Sequence, residues 1–150
     1  MTPKLVCSRN FNPASFMGDG WSVAEEDDRA NDLTVIDPAA ITLLACLEKE
    51  EQPTGERCLK RLKEMPYVRL GGRVFLALWE NQRAIPAIWK EPLTFVFFDG
   101  LVLGHRNGNR YSLYLSWHDD AWHWYSAWLG NTRSASSPSA VIANVSSNRE

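Results

Sequence analysis

Leu93-Thr94-Phe95-Val96-Phe97-Phe98-Asp99-Gly100-Leu101-Val102-Leu103 is the stretch on which the reading of the fold turns. Two runs rich in apolar and aromatic residues flank an Asp-Gly pair, and Asp-Gly supplies the positive φ angles that a two-residue hairpin turn requires. Asn107-Gly108 marks a second turn further on. Tyr111 to Trp117 and Trp122 to Trp128 then alternate around Asp119-Asp120-Ala121. The spacing predicts a four-stranded antiparallel meander over residues 93–129.

Upstream of it the signals are helical. Asp37 can cap backbone N–H groups and Pro38 suits the first helical position. Ile41, Leu44 and Ala45, flanked by Leu43 and Leu47, form an apolar stripe to about Lys49. Thr54 caps a second helix on which Cys58, Leu59, Leu62 and Met65 recur at spacings of three and four, and Pro66 stops it. Residues 67–83 read in two ways. Tyr67 to Leu70 and Arg73 to Leu76 form a hairpin around Gly71-Gly72, or a helix begins after Gly72 with Val74, Phe75, Leu78 and Trp79 on one face. The long apolar run favours the helix.

The ends are less regular. Asn12-Pro13 and Gly18-Asp19-Gly20 are breakers, and two short strands, at residues 21–23 and 33–36, flank an acidic segment, Glu25 to Asp28, read as a solvated loop. The expected whole is a single α+β domain over residues 1–131, with two or three helices packed on a four-stranded antiparallel β-meander. Residues 1–37 are irregular with short strands, 38–90 helical and 93–129 the meander. Residues 132–150 form a partly disordered polar tail, in which only Ala140-Val141-Ile142 can dock on the core.

Composition narrows the class. The 150 residues are 45% hydrophobic and 23% charged with a formal charge of −2, which suits a globular chain and not a uniformly basic nucleic-acid coat. Charge is uneven: residues 1–40 carry three basic against seven acidic side chains, and residues 57–73 six against one. No run of about 18 apolar residues occurs, and the first residues lack the apolar stretch of a secretory signal. Three cysteines without pairing spacing suggest neither a disulfide framework nor a zinc site, so the expected setting is reducing and cytoplasmic. Cys46 and Cys58 read as small core residues. No cofactor motif is present.

Side-chain parity selects the candidate surface. In the third meander strand Leu113, Leu115 and Trp117 share one face, and Tyr114, Ser116 and His118 the other. A two-residue tip at Asp119-Asp120 or at Asp120-Ala121 puts Trp122, Trp124, Ser126 and Trp128 with the leucines. His123, Tyr125 and Ala127 then join His118. The Trp/Leu face is expected on the helices. The Tyr114, Ser116, His118, His123 and Tyr125 face is expected toward water, where exposed aromatics beside imidazoles can bind rings, sugars or peptides.

Three functions follow. The first is a non-enzymatic binding module for a protein or small ligand, using that sheet face or the basic helix. The second is nucleic-acid binding by residues 38–76, where two helices and a basic wing are similar to a winged-helix arrangement. There Arg57, Lys60, Arg61 and Lys63 approach the backbone, with Arg69 and Arg73 on the wing. A helix from Gly72 counts against it. The third is a small metal-dependent hydrolase centred on His118, Asp119 and His123, a workable ligand set for a divalent ion. No nucleophile elbow, paired-histidine zinc helix or phosphate loop supports catalysis.

Overall fold

The computed structural model describes residues 4–47 and 52–143. The expected end of the first helix near Lys49 and the last part of the expected tail, 144–150, lie outside the described residues.

The four-stranded meander is not what forms. An eight-stranded mixed sheet takes its place, beside a two-stranded sheet and, among the described residues, three α-helices. The meander's last hairpin is present, formed by β8 (Arg110–His118) and β9 (Ala121–Trp128). β9 takes one edge of β8 along its whole length. The other edge is shared: β6 (Phe95–Phe97) pairs with Tyr114 to Ser116, and β7 (Leu101–His105) pairs with Arg110 and Tyr111, both antiparallel. β6 and β7 therefore run in the same direction along one edge of β8. Asp99-Gly100 is a turn, with the Leu101 N–H on the Phe98 carbonyl at 3.3 Å, that interrupts one edge of β8 between β6 and β7 and does not form a hairpin.

Local chemistry explains the difference. A primed turn needs positive φ at its centre, and among the described glycines only Gly18, Gly20 and Gly108 have it. Gly100 is required instead for close approach, because a Cβ there would collide with the Arg69 carbonyl oxygen. Its N–H donates to the Leu70 carbonyl at 2.8 Å, and its own carbonyl accepts from the Asp27 N–H at 2.8 Å. Asp99 is fully buried. Its carboxylate accepts from Arg133 Nη1 and Nη2 at 2.7 and 2.8 Å, from Ser112 Oγ at 2.8 Å and from Ser139 Oγ. Burial alone would push this carboxyl up, but the Arg133 guanidinium and the two hydroxyls hold it below the usual carboxylate range. A turn dipeptide by composition is thus the junction where the sheet divides.

From that junction the β7 half continues to β2 (Trp21–Glu26), and the β6 half to β10 (Ser139–Ala143), which runs parallel to β6. β10 in turn pairs antiparallel with β4 (Thr42–Leu44) and β5 (Tyr67–Arg69). Residues 132–143 are consequently no loose tail: β10 is an inner strand, and Ala140 and Val141 are fully buried.

The expected helix from Pro38 is also corrected. Asp37 does cap, accepting from the Ala39 N–H at 2.9 Å with Pro38 in the first turn, but the turn is a single 3-10 turn, Pro38–Ala40, leading into β4. Ile41 and Leu43 pack toward one core cluster, and Leu44 and Cys46 toward another, a period of two with apolar residues on both faces. Such a run mimics a broad helical stripe. Helix propensities differ by less than about 1 kcal/mol per ordinary residue, while burying a Leu is worth about 1.5–3 kcal/mol, so pairing with β10 decides.

Two helices agree with the sequence reading. α2 (Gly55–Lys63) starts where Thr54 Oγ1 accepts from the Arg57 N–H at 3.2 Å, and it buries Cys58, Leu59 and Leu62. α3 (Gly72–Glu80) begins after Gly71, so the Tyr67–Leu76 hairpin alternative is not formed. α3 covers one sheet face, where Val74, Phe75 and Leu78 join Val96, Phe98, Leu101, Leu103, Leu113 and Leu115. α2 covers the other, through Leu59 with Val102 and Leu129, and through Cys58 and Leu62 with Val141. α1 (Pro13–Met17) and the paired short strands β1 (Leu5–Val6) and β3 (Val35–Ile36) complete the chain.

The acidic segment is not a solvated loop. Glu25 and Glu26 lie in β2, where Glu25 pairs with Lys63 at 2.6 Å and Arg110 at 3.1 Å. Asp27 is buried, binding Arg29 and the Arg69 N–H. No helix among the described residues is long and apolar enough to cross a membrane.

Candidate functional site

The β8–β9 hairpin closes with a two-residue tip, Asp119 and Asp120, at φ 53° and 59°. Both are in the left-handed region, as a tip that matches strand twist requires, and Asp tolerates it better than most residues. The pairs Trp117–Trp122, Leu115–Trp124 and Leu113–Ser126 fall on one face, and Ser116–His123, Tyr114–Tyr125 and Ser112–Ala127 on the other. The even-loop partition expected from parity is the one observed. Trp122 is buried and Trp117 and Trp124 are half-buried on the α3 side, with the Lys90 ammonium 4.2 Å from the Trp117 ring centre. Trp128, at the far end, is 47% exposed.

The opposite face carries a ladder of flat rings. The His118 and His123 imidazoles stack at 3.8 Å and 10°, and Tyr125 continues the stack, 6.1 Å from His118 and 6.3 Å from His123. Tyr114 lies 5.4 Å from Tyr125, and Phe97 4.8 Å from Tyr114. The Arg133 guanidinium sits 3.9 Å over Phe97 and closes the ladder at its buried end. Exposure falls along it, from His118 and Tyr125 in solvent to a half-buried Tyr114. Burial, and then the neighbouring Tyr125, pushes the Tyr114 phenol up. Ser116, grouped with this face, is itself buried. The water-facing surface is therefore His118 and Tyr125 with parts of the half-buried His123 and Tyr114.

The imidazoles are held by specific partners. His118 Nε2 is 2.8 Å from the Tyr125 hydroxyl, and His123 Nε2 donates to the His118 carbonyl at 3.2 Å. His118 Nδ1 is 3.4 Å from Asp119 Oδ2. Rings stacked face to face direct their nitrogen lone pairs sideways and do not converge on a common point. Among the described residues no group of three or more His, Cys, Asp or Glu side chains could hold a metal ion. The metal set His118, Asp119 and His123 is thus brought together in space but not in coordinating geometry.

The basic set is dispersed. Arg69 is buried, its backbone N–H on Asp27 and its Nη1 on the Asp99 carbonyl. Arg73 sits on α3 and donates to Asn10 and to the Asn31 carbonyl. Arg61 holds the Cys46 carbonyl at 2.7 Å, and Lys63 is paired with Glu25. Arg57 and Lys60 are exposed on α2. With α3 where the wing was expected, these six do not line one surface.

Cys46 and Cys58 lie together in the core cluster under α2, as small buried residues, and a hydrogen bond between the thiols, with burial, pushes Cys46 up. The sequence reading missed the Asp99–Arg133 pair entirely, since 34 residues separate its members. No family model matches the chain, and no curated protein or solved structure is significantly similar to it.

Proposed function

We propose that the protein is a non-enzymatic binding module that engages an extended segment of a protein partner at the β8–β9 hairpin. The observation that carries this reading is the ring stack of His118, at the end of β8, with His123 and Tyr125 on β9, a strand whose pairing is one-sided: among the described residues β9 bonds to β8 alone. An edge strand offers main-chain donors and acceptors to an added strand, and flat rings beside it contact the partner's alternate side chains. Ala121 to Trp128 contains no Lys, Arg, Asp, Glu or Pro, the residues that commonly block such edges. One nitrogen of each imidazole is engaged in a hydrogen bond, Nε2 of His118 with the Tyr125 hydroxyl and Nε2 of His123 with the His118 carbonyl, which holds the rings as a recognition surface.

The test is selection of peptides from a displayed random library on the immobilised protein, followed by titration against the double variant His118→Ala/Tyr125→Ala. Both side chains are exposed, so the variant retains its melting temperature. Selected peptides are expected to lose at least about tenfold in affinity, as for removal of central aromatic contacts. Unchanged affinity for every selected peptide rejects the reading.

A further inference from the structure

On the other side of the sheet a cleft of about 490 Å³ opens between residues 9–16 and the C-terminal half of α3. That volume is in the range of small-molecule sites. Its apolar wall is Phe11, Phe16, Leu76 and Trp79, and its rim carries Arg9 and Glu80. Phe11 and Leu76 are buried, whereas Phe16 and Trp79 are half-buried and keep ring surface open. Phe16 is set in place by three neighbouring rings: Trp124 at 4.8 Å, Phe11 at 5.1 Å and Phe75 at 5.7 Å. An aromatic surface held this way loses little freedom when a flat ligand covers it.

The rim gives the charge of that ligand. Arg9 is ion-paired with Glu80, but its side chain remains 70% exposed. A smaller adjoining cavity of about 180 Å³ shares Arg9, Leu76 and Glu80 and adds Arg73. Arg73 donates to the Asn10 side-chain oxygen at 3.0 Å and to the Asn31 carbonyl at 2.7 Å, both neutral acceptors. Two guanidinium groups thus face one carboxylate across the paired cavities. The excess is one positive charge, beside a wall of rings.

We propose that this cleft binds a small planar aromatic carboxylate, its ring against Phe16 and Trp79 and its carboxylate at Arg9. A guanidinium meets a carboxylate through two parallel N–H donors, and the ligand competes with Glu80 for them. This site lies on the sheet face opposite the ring stack of the hairpin and is independent of it.

Naphthoate, naphthamide and naphthylmethylammonium share one ring system and differ in charge, so titrating each into the full chain, read by tryptophan fluorescence, tests the assignment. Naphthoate is expected to saturate at one molecule per chain and to bind at least about tenfold more tightly than the neutral amide, with the cation weakest. Arg9→Gln brings naphthoate down to the level of the amide and leaves the amide unchanged. Glu80→Gln tightens naphthoate by freeing Arg9. Trp79→Ala removes both ligands, and Trp79→Phe, which preserves a ring and the fold, retains them. His118→Ala/Tyr125→Ala leaves naphthoate binding intact, which separates this cleft from the hairpin surface. Absence of saturation, equal affinity for the three probes, or indifference to Arg9→Gln overturns the proposal.

Discussion

At Asp99 a charged side chain is removed from water and surrounded by four donor groups: both Arg133 terminal nitrogens and the Ser112 and Ser139 hydroxyls. Removing one member of a buried pair leaves the other uncompensated, so Arg133→Leu is expected to cost about 3–5 kcal/mol in urea unfolding. Gly100→Ala should cost about 2 kcal/mol or more in the same assay, because the added methyl meets the Arg69 carbonyl, which has no room to retreat. The pH dependence has a definite sign. Asp99, Asp27 and Glu25 would each be pushed up by burial, yet their cationic and hydrogen-bonding partners hold them below their ordinary values. A carboxyl lowered in the folded state adds stability above its unfolded pKa and surrenders it as pH falls through the folded one. The melting temperature should therefore drop steeply below pH about 4, and the drop should be shallower in Asp99→Asn. A melting temperature that holds steady from neutrality to well below pH about 4 contradicts the network's role. None of this is legible in the sequence, because a dipeptide's turn propensity is local and Asp99's partners stand 13, 34 and 40 residues away.

At the scale of elements, legibility followed the degree to which one periodicity had a single explanation. α2 was readable from Thr54 and from Cys58, Leu59 and Leu62, because a strongly amphipathic nine-residue segment has no comparable strand reading. The β8–β9 faces are readable because an even tip allows one parity, and that parity puts His118, His123 and Tyr125 on one face. Residues 41–46 were not, since apolar residues on both faces erase the alternation that marks a half-exposed strand. The two-residue tip offers a direct check on the hairpin. Asp119 and Asp120 both hold positive φ, which Asn and Gly adopt with less strain. Asp119→Asn/Asp120→Gly should raise stability by about 1 kcal/mol in urea unfolding while leaving the ring stack in place. A loss of stability would mean that the tip carboxylates hold the hairpin by contacts other than its backbone geometry.

Across the whole molecule, the sheet depends on its late strand. β10 bonds to β4, β5 and β6, which come from three separate stretches of the chain, and Val141 alone pairs with Thr42 on one side and Arg69 on the other. A chain ending at Pro138 leaves all three without their shared neighbour. It is expected to lose its cooperative thermal transition, and a sharp transition in calorimetry would show that β10 is dispensable. All the other strands among the described residues precede β10 in the sequence. On the ribosome, a polypeptide whose first 138 residues have already emerged presents several unfilled strand edges to its neighbours, and it is then that aggregation competes with completion. The yield of folded protein is therefore expected to fall when residues 139–143 become available late relative to the strands they join.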